Sequence, residues 1–258
     1  MSEQSYYMLD LSALMCYFEI RVNDVEVFAF NVDGQTSTDI PINQGILESG
    51  RQEIEVRVLP LQGNNTLHKE AYIRYKVVVF DVSSGDYKYM EQFDNHQTLP
   101  VKGEIPVVVH KSNFNAKVPY RIEAWQNGID LKHADFDIKP KLIEAYEKLS
   151  RYIEEGNYTA FIDAMRKREE NIATAMYLSE NEANQRISRL VDDFQSGFRV
   201  APISDNVIVE LSAYGKVATL KRMNGMSALF LENEDTQEEL VLQPTFYIPE
   251  GKTEFEII

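Results

Sequence analysis

Four histidines, His68, His96, His110 and His133, are the side chains best suited to hold a transition metal. They are scattered, with no His-x-x-x-His or Cys-x-x-Cys pair to bring two ligands together locally, so a structural zinc is not expected. Carboxylates are more plentiful. Asp81 and Asp86 flank a Ser-Ser-Gly turn, Asp94 lies toward the other end of that hairpin, and Asp135 and Asp137 sit where the sequence pattern changes. Hard oxygen ligands of this kind could hold calcium between loops. The twelve-residue calcium loop is missing from the sequence, and plain surface charge is the simpler expectation.

Nucleophilic chemistry has equally little to start from. No Gly-x-Ser-x-Gly turn is present, and Ser83 and Ser84 before Gly85 read as turn residues that bond the local backbone. The one cysteine, Cys16, lies within Leu14-Met15-Cys16-Tyr17-Phe18. That apolar setting predicts a buried thiol, whereas a reactive one needs an electropositive, partly open site. Gly251-Lys252-Thr253 has the letters of a phosphate loop without a helical pattern behind it, and so reads as a hairpin turn. Arg166-Lys167-Arg168 is a basic island followed at once by Glu169 and Glu170, a pattern expected of a solvated helical face more than of an anion site.

The elements that would position these residues fall into two halves. Up to about Asp137 the chain shows short β-branched and aromatic runs: 17–22, 25–31, 53–58, 72–82, 87–93, 105–110 and 118–125. In Glu53-Ile54-Glu55-Val56-Arg57-Val58 charge and aliphatic alternate, which puts Ile54, Val56 and Val58 on one buried face. Turns are expected at Asn23-Asp24, Ser84-Gly85 and Asn127-Gly128, the last being the strongest hairpin signal because it tolerates positive φ at both positions. Together these predict an antiparallel β-sandwich.

After Lys139-Pro140 the period lengthens to that of a helix. Leu142, Ile143, Tyr146, Leu149, Tyr152 and Ile153 form an apolar stripe ending at Gly156. A second helix follows Asn157, with Phe161, Met165, Ile172, Ala175 and Met176 turned inward. Ser179-Glu180-Asn181-Glu182 is a capping box that opens a third helix carrying Ile187, Leu190, Val191 and Phe194. Alternation then returns through the C-terminal residues. The expected fold is α+β: a sandwich domain over residues 1–138, then an α+β domain over residues 139–258 made of three helices and an antiparallel meander. Pro140 is placed at the first helical position.

Composition narrows function. The 258 residues hold 26 Lys+Arg against 41 Asp+Glu, a formal net charge of −15. The excess is even along the chain, so no separate acidic tail is expected. Such a chain repels phosphate backbones and anionic membrane surfaces, whose binding depends on clustered Lys and Arg. Neither nucleic acid nor membrane is expected as a partner. The apolar run from Tyr6 to Phe18 has no basic residue before it, so a secretory leader is not expected, and a reducing cytoplasmic location follows.

Two resemblances bear on the halves. Ile40-Pro41-Ile42-Asn43 and Gly50-Arg51-Gln52-Glu53-Ile54-Glu55-Val56-Arg57-Val58 resemble accessory β-sandwich domains of jelly-roll or immunoglobulin-like type, which implies fold and not function. Three helices followed by antiparallel strands resemble the α+β cone of the nuclear transport factor family, with a less interleaved order. That resemblance implies a ligand or an acid/base pair held inside the cone.

Two functional expectations result. The first is a non-catalytic bacterial interaction protein, such as an immunity protein or an adaptor for a secreted toxin, that meets a basic partner through Glu232, Glu234, Asp235, Glu238 and Glu239. Complementary charge speeds association and rejects wrong partners. It calls for no enzyme activity, cofactor or metal. The second is a pocket protein or enzyme using Asp163, Tyr177, Glu210 and Tyr214. A structural part in a larger assembly is the third possibility.

Overall fold

The computed structural model describes residues 3–258. The chain divides into two compact units, one running to Ile122 and including Ala175–Tyr177, the other comprising Glu123–Thr174 and Leu178–Ile258. The element order is the expected one: strands, three helices, then antiparallel strands.

The first unit is built on two long strands, β1 (Ser5–Val22) and β2 (Val25–Pro41), paired along their length and joined at Asn23-Asp24, where both residues take positive φ (51° and 60°). On its other side β1 pairs with β4 (Tyr72–Asp81) over its first half and with β3 (Gly50–Leu59) over its second. The changeover falls at Met15, whose φ is 49°, opposite Gly34 at φ 129°, where the β1–β2 register slips between Leu14 and Cys16. A bulge bends a strand and lets it serve two sheet layers.

With β5 (Lys88–Gln97) beyond β4 and β6 (Val108–Ala116) beyond β3, the hydrogen-bonded path is β5-β4-β1-β3-β6, and β2 flanks β1. The end strands meet through side chains: Phe93 and Phe114 lie 5.4 Å apart between ring centroids, and His96 and His110 lie 3.4 Å apart. The two layers expected of a sandwich are thus the two halves of one bent sheet. Leu9, Leu11, Phe18, Ile20, Ile54 and Ile73 are fully buried between them. Cys16 is buried there too, and desolvation pushes its thiol up to about 11, so it stays protonated.

Asn43 opens a short 3-10 turn, Asn43–Gly45, and is itself fully buried. Its Oδ1 accepts from the Tyr7 N–H at 2.6 Å, and its Nδ2 donates to the Ser5 carbonyl at 3.1 Å. At Gly45 an added Cβ would stand 2.6 Å from the Val22 Cβ, so only glycine lets the turn sit this close to β1.

Residues 118–125, expected as a strand, are not one. Pro119 lacks an N–H for a ladder, and the segment instead hangs on single anchors: Val118 N–H to Ser49 Oγ at 2.9 Å and Ile122 N–H to the Leu47 carbonyl at 2.7 Å. Asn127-Gly128 does turn, Gly128 N–H bonding the Trp125 carbonyl at 2.8 Å, but it closes no hairpin. Residues 123–137, which the sequence reading assigned to the sandwich, pack with the second unit: Leu131 is buried in its core, with Ile129 and Phe136 against it.

In that unit α1 (Ile138–Glu154) is capped by Asp137, whose side chain accepts from Lys139 N–H at 3.1 Å. Pro140 is therefore the third helical residue and not the first, still within the turn whose N–H groups lack helical partners. The helix ends as expected, with Gly156 at φ 67°. Then come α2 (Tyr158–Ala175) and α3 (Glu180–Gln195), the latter with the Ser179/Glu182 capping box formed in both directions. The strands β7 (Arg199–Val200), β8 (Val207–Ser212), β9 (Val217–Arg222), β10 (Phe230–Asn233), β11 (Glu238–Val241), β12 (Phe246–Tyr247) and β13 (Glu256–Ile257) pair as two small antiparallel sheets, β11-β10-β7 and β13-β12-β9-β8. Gly251-Lys252-Thr253 forms the turn of the β12–β13 hairpin, with Lys252 N–H on the Pro249 carbonyl at 3.0 Å. No helix among the described residues is long and apolar enough to cross a membrane.

Candidate functional site

The carboxylates read as partner-binding all lie on the β10–β11 hairpin. Register places Leu231 opposite Leu240, Glu232 opposite Glu239, and Asn233 opposite Glu238. Leu231 is fully buried and Leu240 packs on the core, so the alternation of the strands sends Glu232 and Glu239 together to the solvent face. Glu234 and Asp235 occupy the exposed turn.

Two side chains hold that turn: Gln237, whose Nε2 donates to the Glu234 carbonyl at 2.7 Å, and Asn233. Asn233 is 7% exposed, and its Oδ1 accepts from the N–H groups of Asp235 (3.0 Å) and Thr236 (3.2 Å) while its Nδ2 donates to the Ser196 carbonyl at 3.2 Å. Gln237, at φ 58°, closes the loop with its N–H on the Asn233 carbonyl at 2.8 Å. An asparagine in this role shapes the backbone of a turn that would otherwise be loosened by its own charge.

Arginines answer part of that charge. Arg222 grips Glu239 with both terminal nitrogens, at 2.6 and 3.1 Å, and its guanidinium lies 4.0 Å over the Phe230 ring. Arg199 on β7 stands opposite Glu232 in register. Against these two cations stand five carboxylates, so the hairpin presents a net negative face. Glu232 stands directly across from Glu239, a like-charge cross-strand pair whose repulsion Arg222 and Arg199 offset.

The four residues read as a speculative pocket each end on different partners. Asp163 is exposed on α2 and pairs with Arg166. Tyr177 belongs to the first unit, where its hydroxyl donates to the Ser5 carbonyl at 3.0 Å and its ring lies against Tyr120. Glu210 pairs across the β8–β9 hairpin with Lys221 at 2.9 Å. Tyr214, at φ 58° and half exposed, packs edge-on against Trp125.

Three of the five aspartates considered for calcium have local work to do, and Asp86 and Asp135 are exposed. Asp81 accepts from Ser83 N–H (3.0 Å), Gln4 N–H (3.1 Å) and Ser83 Oγ (3.1 Å), bonds that hold its carboxyl below the usual range. Asp94 accepts from the Tyr75 hydroxyl at 3.2 Å, and Asp137 caps α1.

Sequence reading did not foresee the histidine pair. His96 on β5 and His110 on β6 stack face to face, 9° from parallel, and the buried Tyr75 of β4 touches both rings. Nothing in a fourteen-residue separation signals it; the bend of the sheet, which brings the side chains of the two mutually unpaired end strands together, creates it. Desolvation, then the neighbouring His110, lowers the His96 pKa, and Asp94 opposes them. An unfolded chain takes up this proton at a higher pH than the folded one, so stability falls as pH drops through and below about 6.5, the ordinary histidine value. Carboxylates with depressed values withdraw their contribution only at lower pH. The melting temperature is therefore expected to decline from pH 7.5 to 5.5, by no more than about 1 kcal/mol of stability because the ring keeps solvent access. Thermal melts of the wild type and of His96→Gln check this: the variant's decline is expected to be shallower, and identical slopes would refute the assignment.

Comparison of the chain with known protein families, with curated proteins and with solved structures finds no match in any of the three.

Proposed function

We propose that the protein is a non-catalytic binding protein, of the kind represented by immunity proteins and adaptors, that presents the β10–β11 hairpin to a basic protein partner. The observation that carries this reading is the geometry of the hairpin. Five carboxylates are gathered on one short hairpin, Glu234 and Asp235 in its exposed turn and Glu232, Glu238 and Glu239 on its strands, with two arginines beside them. Arg222 and Arg199 stand against Glu239 and Glu232, and the three carboxylates left over, Glu234, Asp235 and Glu238, are exposed charge that a cationic partner would neutralise. The chain's overall charge of −15 supports the same reading, since long-range attraction raises encounter rates with basic surfaces and falls off with salt.

The test is capture from a lysate of the source cell at low ionic strength, followed by a stepped salt elution. A stoichiometric basic protein released by salt, and displaced by a peptide of residues 230–241, supports the reading. A partner that survives molar salt and ignores the peptide would point to a different, apolar surface.

A further inference from the structure

The basic island that the sequence assigns to a solvated helical face divides in the structure. Arg166 is exposed on α2 and pairs with Asp163, but Arg168 turns into a cleft of about 390 Å³ between α2, α3 and the end of β11. Met165, Ile187, Leu190 and Leu242 supply its apolar wall. Arg168, Arg186 and Arg189 stand around it, with Glu169 and Asp193 as the only acids in the lining. In a chain with a net charge of −15, this cleft has one positive charge in excess.

Glu169 organises the arginines. Its Oε1 accepts from Arg168 Nη1 at 2.6 Å and its Oε2 from Arg186 Nε at 3.2 Å, so one carboxylate holds two guanidiniums in place. The side chains of Arg168 and Glu169 are 25% and 17% exposed, and desolvation lowers the Arg168 pKa, with the charge of Arg186 acting in the same direction. The terminal nitrogens of Arg186 have no partner among the described residues, nor has Arg189, one helical turn further along α3. A guanidinium held through Nε leaves its two Nη groups as a planar fork, the geometry that grips a carboxylate with two parallel hydrogen bonds.

The geometry points to a binding site for a small monocarboxylate with a compact apolar body: the carboxylate on Arg186 and Arg189, the hydrocarbon on Met165, Ile187, Leu190 and Leu242. The single excess charge suits a monoanion better than a phosphate dianion, and the volume lies at the small end of ligand clefts. This site is independent of the acidic hairpin, and either assignment stands without the other.

Hexanoate is the probe. Its binding to the full chain is followed by calorimetry and by melting temperature, beside acetate, hexanol and inorganic phosphate, in the wild type, Arg189→Gln and Arg186→Gln. Saturable hexanoate binding is expected, with acetate and hexanol each at least tenfold weaker and both variants weakened at least fivefold. Arg189 makes no ion pair among the described residues, so Arg189→Gln is expected to melt with the wild type, which separates lost binding from lost folding. Three results overturn the proposal: no saturable hexanoate binding, binding unchanged in both variants, or phosphate matching hexanoate. Tight binding of a peptide with a free C-terminal leucine in place of hexanoate would transfer the cleft to a peptide end and also overturn it.

Discussion

Asn43→Ala is expected to destabilise the first unit by about 3 kcal/mol, because removing its side chain strands the buried Tyr7 N–H and leaves the Ser5 carbonyl with the Tyr177 hydroxyl as its one remaining side-chain donor. The Tyr7 N–H loses its acceptor and the Ser5 carbonyl loses a donor, both inside a region closed to water. Asn43 Nδ2 also lies 3.3 Å from the Tyr120 hydroxyl, so the substitution loosens the irregular segment that covers this end of the sheet. A loss of that size corresponds to a fall in melting temperature of roughly 10 °C for a unit of this length. Hydrogen exchange gives the sharper check: protection of the β1 amides near Tyr7 is expected to collapse first. An unchanged melting temperature would mean that water or a rearranged turn satisfies these groups.

Tyr146→Phe tests the second unit in the same terms while leaving its packing intact. The Tyr146 ring is buried on α1 and lies 4.9 Å from Phe246, and its hydroxyl donates to the Pro244 carbonyl at 3.1 Å while accepting from the Leu220 N–H at 3.0 Å. Burial pushes the phenol well above its ordinary pKa, so it remains neutral and both bonds persist across the accessible pH range. Phenylalanine keeps the ring and removes the bridge between β9 and the Pro244 segment. The expected cost is about 2 kcal/mol. Tyr146→Ala, which also opens a cavity, is expected to cost roughly 3–5 kcal/mol. Equal losses for the two variants, measured by denaturant unfolding, would show that the hydroxyl and not the ring dominates.

Local signals were legible in the sequence where local physics decides. The capping box at Ser179 and Glu182, the glycine stop at Gly156 and the alternation through Ile54, Val56 and Val58 all depend on neighbours within a few residues. The order of strands and helices follows from those signals. Long-range pairing does not. That β1 serves two sheet layers through a bulge at Met15 depends on which strands meet it, and the alternation on either side reads the same with or without the bend. The strength of Asn127-Gly128 as a turn was plain, but its flanking residues find anchors elsewhere, so no hairpin forms.

The sites divide in the same way. The acidic run at 232–239 is contiguous, so its gathering on one hairpin could be read directly. Its governing residue, Asn233, carries no charge and was passed over, though asparagine beside an acidic turn is a recognisable signal. The arginine cleft combines one residue of the visible island with two from the next helix. Composition cannot show that Arg168 turns inward while Arg166 turns out, because helical phase relative to the core decides it.

The central claim rests on the charge of the hairpin, and the most direct measurement is the association rate of the captured partner with the wild type and with Glu234→Gln/Asp235→Asn/Glu238→Gln over a range of ionic strength. All three side chains are exposed, so the variant is expected to keep the wild-type fold and melting temperature. The account predicts a rate at low salt at least tenfold slower in the variant, with the two curves converging as salt screens the field. Equal rates and equal salt dependence for the two proteins would contradict it.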